Sequence, residues 1–205
     1  MLKNFKIWQT LALLVFLAGL PLGSWYYLRE GYQYRKSIID DLRELGELPD
    51  LPLSDFRDSI VDKTMLEEKV FVVSRLENTN TPRQKVIEGL SDQFSESGMV
   101  SFVVICPDSS TSELVHSILK KRESYKEALF LIFAESDSTS KDFLVALPSE
   151  VQSGQFVLLA DSKRQIRRLY EVESAKDLQR LVEHIAIVIP PKRSPKPVLK
   201  REIEK

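Results

Sequence analysis

An uncharged stretch from Ile7 to Leu28 is the feature that most constrains this chain. About 22 residues rising about 1.5 Å each give a helix of about 33 Å, enough to cross the hydrocarbon part of a bilayer. Trp8 at one end and Trp25, Tyr26 and Tyr27 at the other are placed as aromatic side chains are at the two membrane interfaces. We therefore predict one N-terminal transmembrane helix with the lipid bilayer as a partner. A cleaved signal peptide is the alternative.

Basic residues do not decide the orientation of this stretch, because they occur both before it and after it. A short N-terminus followed by a large domain suits a signal-anchor. We expect a single-pass inner-membrane protein whose C-terminal domain lies in the periplasm, or in the mitochondrial intermembrane space of a eukaryote.

The remaining chain divides into segments of different composition. We predict an anchor over residues 1–29, a charged helical stalk over 30–47, one folded domain over 48–189 and a charged, proline-containing tail over 190–205. The tail has no apolar periodicity, which favours an extended or partner-bound segment. Residues 48–189 are enough for one domain with a sizeable core.

Apolar runs and helical patterns alternate along residues 48–189. Compact runs bounded by charges or glycine predict buried strands, and i, i+3, i+4 spacing predicts helices. The predicted strands are 69–74, 99–105, 128–133, 156–160 and 166–172; the predicted helices are 82–96, 112–122, 140–147 and 175–187. Residues 161–164 form a tight turn between the last two strands. This order predicts an α/β thioredoxin-like fold, a central mixed sheet with flanking helices, preceded by the transmembrane helix.

Composition excludes several classes of function. The net charge is -1, so the chain lacks the basic footprint of a nucleic-acid-binding protein. Cys106 is the only cysteine, so neither an intramolecular disulfide nor a CxxC motif can form. No glycine-rich phosphate loop is present.

The segment from Phe156 to Tyr170 resembles the Sco (synthesis of cytochrome oxidase) family of membrane-anchored copper chaperones. The family pattern there is an aliphatic run, an Asp, a turn and Ile-Arg-Gly-x-Tyr. In this chain Asp161 follows the aliphatic run, Ile166 and Arg167 follow the turn, and Arg164 and Arg168 replace two turn glycines. The resemblance extends over about 48–189 and implies a thioredoxin-like fold.

The copper site of that family is not retained in this sequence. Sco proteins bind copper through Cys-x-x-x-Cys-Pro after the first core strand and through a distant histidine. The proline is present as Pro82, but the cysteine positions fall near Glu77 and Thr81, and the histidine position falls near Gln152. Copper(I) requires soft thiolate or imidazole ligands, which these residues do not supply. We therefore expect no metal, no cofactor and no enzyme activity.

Three other residues could carry chemistry. Cys106 ends a strand, and His116 and His184 lie on predicted helices. Cys106 is expected to be a buried small residue and the two histidines to be structural; the alternative is a non-standard copper or thiol site around Cys106. A basic hairpin turn, a candidate contact surface for acidic partners or anionic lipid, contains Lys163, Arg164, Arg167 and Arg168.

These observations, with the resemblance, imply an accessory subunit or assembly factor of a membrane respiratory complex related to cytochrome oxidase. A peroxiredoxin-like binding module unrelated to respiration is the remaining alternative.

Overall fold

The computed structural model describes residues 2–51, 63–76, 82–121, 128–136 and 138–190. The chain forms two compact units, Met1–Arg43 and Glu44–Lys205. Helix α1, Leu2–Asp40, makes up most of the first unit, so the predicted stalk begins as a continuation of this helix. The predicted positions Glu77 and Thr81 and the tail from residue 191 onward lie outside the described residues.

The prediction of a transmembrane helix is wrong for the part of the chain that the structure describes. No helix there is both long enough and apolar enough to cross a membrane. The apolar run of α1 is diluted by Gly19, Pro21 and Gly23, and Arg29 and Glu30 follow soon after it. The assignment of Trp8, Trp25, Tyr26 and Tyr27 as interface anchors depended on that prediction. The structure shows only that these four side chains are exposed.

The second unit is built on one six-stranded sheet in the order β1-β6-β5-β2-β3-β4. Its strands are β1 Gly46–Glu47, β2 Val70–Arg75, β3 Val100–Cys106, β4 Leu129–Ala134, β5 Phe156–Ala160 and β6 Gln165–Glu171. Strands β2, β3 and β4 are parallel, whereas β5 is antiparallel to both β2 and β6. The predicted mixed sheet is confirmed, and all five predicted strands occur within a residue or two of their expected bounds.

Helices connect these strands in the predicted order. They are α2 Pro82–Phe94, α3 Ser109–Lys120, α4 Ser138–Ala146, α5 Ser149–Gln152 and α6 Ala175–Val188. Capping side chains stabilise the first turns of α3 and α6. Asp108 accepts a hydrogen bond from the N–H of Thr111 in α3, and Ser174 accepts one from the N–H of Asp177 in α6. Gly98, at φ 62°, ends the short 3-10 helix that follows α2.

The main hydrophobic core lies on one face of the sheet. Phe71 and Val73 of β2 pack there with Leu158 of β5. Phe143 of α4, Leu147 between α4 and α5, and Val151 of α5 belong to the same cluster. Burial of each such side chain contributes about 1.5–3 kcal/mol to folding. On β3 every residue is buried, as expected for a strand covered on both faces.

Strand β1 is an element that the sequence pattern did not predict. Gly46 and Glu47 lie within the predicted stalk, and both are exposed. They pair with Ile166 and Gln165 of β6 through main-chain bonds. Such a strand has no apolar alternation, so only the position of β6 determines that it forms.

Candidate functional site

The carboxyl ends of β2, β3 and β4 lie together at one edge of the sheet because these strands are parallel. Strand β5 begins and β6 ends at the same edge, since β5 is antiparallel to both of its neighbours. This carboxyl edge is where open α/β sheets usually bind ligands. The resemblance puts the copper-binding loop of Sco proteins between β2 and α2, and residues 77–81 of this loop lie outside the described residues.

Both ends of that loop are fixed by the fold. The N–H of Leu76 donates to the carbonyl oxygen of Ile105 at 2.8 Å, and Leu76 is buried. Pro82 is the first residue of α2, a position that proline tolerates because its missing N–H would have no partner within the helix. The sequence places no cysteine or histidine between these two residues.

An ion pair crosses the carboxyl edge next to this loop. Arg75 ends β2 and Glu135 follows β4, so their contact bridges the end of the intervening β3. The Arg75 Nε contacts Glu135 Oε1, and its Nη2 donates to Oε2 at 3.3 Å. No sequence signal could have paired two residues that are 60 positions apart.

Cys106 ends β3 and is completely buried. Burial, and then the negative charges of Asp108 and Glu135, raise the pKa of its thiol to about 12. A thiolate is the reactive form in both disulfide exchange and copper binding. The thiol therefore remains protonated at physiological pH, which is the opposite of what a catalytic cysteine requires.

Asp108 has a structural role beside this cysteine. Its Oδ1 accepts from the Ser110 hydroxyl at 2.6 Å and from the Thr111 N–H at 2.7 Å. These hydrogen bonds lower the pKa of the Asp108 carboxyl, so that it stays ionised and caps α3.

A small polar cavity of about 140 Å³ lies elsewhere along the carboxyl edge. Arg83 in the first turn of α2, Gln155 just before β5, and Glu171 and Glu173 around the end of β6 line it. These groups offer oxygen and nitrogen atoms, which are hard ligands and unsuited to copper(I).

Gln152, at the position where the Sco pattern has its histidine, makes a hydrogen bond within the fold. It is the last residue of α5, and its Nε2 donates to the carbonyl oxygen of Leu147 at 2.7 Å. The amide therefore holds the end of α4 to α5.

The two histidines lie on α3 and α6, whereas Cys106 ends β3. His184 of α6 is buried, and its Nδ1 lies 2.6 Å from the hydroxyl of the buried Tyr170. His116 is a half-buried residue of α3. Within the described ranges, no three His, Cys, Asp or Glu side chains are grouped so that they could hold a metal ion.

The arginines of the predicted basic hairpin all bind carboxylates of the same chain. Arg164 Nη1 donates to Asp50 at 2.8 Å, Arg167 donates to Asp161 at 2.9 and 2.7 Å, and an Arg168 nitrogen lies 3.9 Å from Asp177. The positive charge predicted here, together with Lys163, is thus partly neutralised locally. Its role as a contact surface stays a prediction.

Arg164 adopts a backbone conformation that favours glycine. Its φ is 65°, in the left-handed region, where a residue with a Cβ costs about 1–2 kcal/mol. Arg164 replaces a turn glycine of the Sco pattern, and this backbone angle is one that glycine adopts without strain. The Arg164 side chain partly offsets that cost, because Nη2 donates to the carbonyl oxygens of Leu48, at 2.9 Å, and Pro49.

Comparison of the fold with solved structures gives several matches at low sequence identity. BsSco, a member of the Sco family of cytochrome c oxidase assembly proteins, matches with a TM-score of 0.53 and 12% identity over 71% of this chain and 95% of that chain. A SCO1/SenC family lipoprotein from Bacillus anthracis matches with a TM-score of 0.52 and 16% identity over 70% and 95%. A candidate protein disulfide isomerase from Bacteroides thetaiotaomicron matches with a TM-score of 0.52 and 16% identity over 72% and 91%.

The domain has a thioredoxin-like fold. This confirms the predicted thioredoxin-like fold, and at such identities it shows the fold alone. No protein-family model matches the chain, and no curated protein sequence matches it. The chemistry of this thioredoxin-like domain must therefore be argued from its own residues.

Proposed function

We propose that this chain is a Sco-like thioredoxin-fold protein without thiol or copper chemistry. In this role it serves as an accessory subunit or assembly factor of a respiratory complex related to cytochrome c oxidase. The observation that carries the proposal is the state of Cys106. It is the only cysteine of the chain, it is buried, and its thiol pKa is raised to about 12.

The absence of thiol chemistry follows from the requirements of that chemistry. Disulfide exchange needs an accessible thiolate and a second cysteine to resolve the mixed disulfide. The sequence lacks the second cysteine, and the fold buries the first. A non-standard redox or copper site at Cys106 is disfavoured for the same reason.

The link to respiration is supported by the Sco-like hairpin and by the comparisons. The residues that carry the Sco resemblance have definite structural roles here. Asp161 binds the turn, Arg164 occupies the position that favours glycine, and Tyr170 binds α6 through His184. Among the similar folds, BsSco belongs to a family of cytochrome c oxidase assembly proteins.

A binding role is what remains when thiol and copper chemistry are excluded. We place this role in the periplasm, or in the mitochondrial intermembrane space of a eukaryote. In that role the domain contributes surfaces to its partner subunits, and Arg75 and Glu135 form an ion pair at the carboxyl edge.

Affinity purification of the tagged full chain from its own cells tests the respiratory part. We expect haem-containing oxidase subunits to co-purify, as judged by absorption spectra and mass spectrometry. Recovery of the chain without any haem protein would refute this part and would favour a thioredoxin-fold binding module unrelated to respiration.

The chemical part is tested on the purified full chain. We expect no copper(I) binding in competition with bicinchoninate, and no disulfide reductase activity above that of Cys106→Ser. Stoichiometric copper, or turnover that Cys106→Ser abolishes, would overturn it.

A further inference from the structure

A second cavity, of about 240 Å³, lies near the start of β2, at the opposite edge of the sheet from the carboxyl edge. Leu51, Leu66 and Phe71 give it an apolar lining, and Ser162 and Arg164 of the hairpin turn add polar groups. Binding sites of drug-sized ligands usually measure about 300–1,000 Å³. The volume therefore suits one amino-acid side chain better than a cofactor.

Arg164, in the wall of this cavity, donates hydrogen bonds through only two of its three guanidinium nitrogens within the described part of the chain. Its Nη1 and Nη2 bind Asp50 and the carbonyl oxygens of Leu48 and Pro49. Its Nε is buried, yet no hydrogen-bond acceptor lies within reach in the described part of the chain. A buried donor without a partner is rare and calls for a specific explanation.

The backbone of Arg164 gives an independent indication. A φ of 65° is unusual for an arginine. Residues with such strained backbones cluster at ligand sites, where contacts with the surrounding structure hold the backbone in this conformation. A strained backbone, an unsatisfied donor and a cavity thus coincide at one residue.

The charges around the cavity restrict which acceptor group could bind Arg164 Nε. Asp50 and Glu67 both belong to the cavity wall, so two carboxylates accompany one guanidinium. A ligand carboxylate would be repelled by this excess of negative charge, whereas a neutral carbonyl oxygen would not. A cationic group beside that carbonyl would be attracted.

We propose that this cavity binds an apolar side chain of a partner polypeptide together with the adjoining amide carbonyl. The side chain packs against Leu66 and Phe71, and the carbonyl oxygen accepts from Arg164 Nε. A basic residue next to it in the partner faces Glu67. This proposal extends the proposed function. It depends on that function only for the identity of the partner protein.

Titration of the isotope-labelled full chain with N-acetyl-leucinamide and N-acetyl-phenylalaninamide tests the site by nuclear magnetic resonance. We expect saturable shifts at the amides of Leu66, Phe71 and Ser162. N-acetyl-leucine, which carries a free carboxylate, is expected to bind at least threefold more weakly. Absence of saturable shifts at these residues, or equal binding of the carboxylate probe, would overturn the proposal.

Arg164→Gly is the decisive variant, because glycine accepts the left-handed backbone while the guanidinium is removed. We expect at least tenfold weaker binding of both amides, with the circular dichroism spectrum of the wild type. Lys85→Ala, an exposed lysine of α2 that belongs to neither the cavity nor the basic hairpin, is the control and should bind as the wild type does. Equal affinity of Arg164→Gly and the wild type would contradict the assigned role of Nε.

The partner is tested separately from the cavity. Affinity purification with Arg164→Gly should recover at least fivefold less haem protein than with Lys85→Ala. Equal recovery would exclude the cavity as the docking site. A wild-type chain that captures no haem protein would refute the respiratory role instead, and the amide titration would then decide the cavity alone.

Discussion

Asp161 and Arg167 meet at the turn between β5 and β6, where Nε and Nη2 of Arg167 both donate to Oδ2 of Asp161, at 2.9 and 2.7 Å. The other oxygen, Oδ1, accepts the main-chain N–H groups of Lys163 and Gln165 at 2.8 and 2.9 Å. One carboxylate thus shapes the turn and holds the strand that follows. Asp161, the Asp of the Sco-like pattern, therefore has a structural role in this chain.

A register shift in the hairpin accompanies this pair. Leu159 pairs with Arg168, whereas the next residue, Ala160, pairs with Ile166. Arg167 is therefore the extra residue of a β-bulge, a feature that re-aims side chains. We infer that the bulge directs Arg167 to Asp161.

Asp161→Asn should lower the free energy of unfolding by about 2–3 kcal/mol, because it removes the charge from a buried, four-fold hydrogen-bonded carboxylate and leaves Arg167 unpaired there. Urea denaturation followed by circular dichroism measures this. Glu113→Gln, which changes an exposed carboxylate of α3, should change stability by less than about 0.5 kcal/mol. Equal effects of the two substitutions would contradict the role given to Asp161.

Tyr170→Phe removes the hydroxyl that lies 2.6 Å from His184 Nδ1 inside the domain. We expect a loss of about 1–2 kcal/mol, because a buried ring nitrogen loses its partner while the packing volume is kept. Tyr27→Phe, at a position that is 78% exposed, serves as the control and should be neutral. A Tyr170→Phe variant as stable as the wild type would show that the pair contributes nothing.

Cys106 should not react with a thiol reagent such as dithionitrobenzoate at pH 8 in the native protein. Its pKa of about 12 leaves almost no thiolate, and burial denies access. One thiol per chain should react after unfolding in guanidinium chloride. Rapid reaction of the native chain would refute the buried, protonated state.

The same pKa shift predicts how stability depends on pH. The unfolded thiol titrates near its ordinary value of about 8.5, while the folded thiol keeps its proton until about pH 12. The contribution of Cys106 to stability is therefore complete below about pH 8.5 and decreases as the pH rises toward 12. Between pH 8 and 10, stability should fall more steeply for the wild type than for Cys106→Ser, as measured by urea denaturation; parallel curves would contradict the shift.

Arg164→Gly should be more stable than Arg164→Ala by about 1 kcal/mol. Both variants lose the three acceptors of the guanidinium, but only alanine retains the cost of a left-handed backbone at φ 65°. Urea denaturation of the two variants isolates the strain. Equal stability of the Arg164→Ala and Arg164→Gly variants would show that the backbone relaxes out of this conformation.

The strands were predictable because their signal is local. The run from Val70 to Val73 and the run from Val100 to Ile105 have little alternation of polar and apolar residues, as buried strands do, and both are strands of the sheet. The transmembrane prediction used the same kind of local signal and is wrong for the described residues, in which no helix is long and apolar enough to span a membrane.

The candidate sites were less predictable because they depend on contacts between distant residues. Arg164 and Arg168 were departures from a glycine pattern in the sequence, with no sign that Asp50 and Asp177 would bind them. Likewise, nothing local pairs Arg75 with Glu135 or identifies the cavity beside Phe71.

By itself, the sequence determined the order of the five longer strands and the four longer helices of the domain, the presence of a single thiol and the absence of sulfur from the loop before Pro82. These properties reside in residue type and local periodicity, which need no tertiary information. Only the tertiary structure decided that Cys106 is buried and protonated, that the basic hairpin pairs with carboxylates, and that Arg164 Nε has no hydrogen-bond partner among the described residues. Burial and pairing depend on which residues the sheet brings together, and its strands come from segments far apart in the chain.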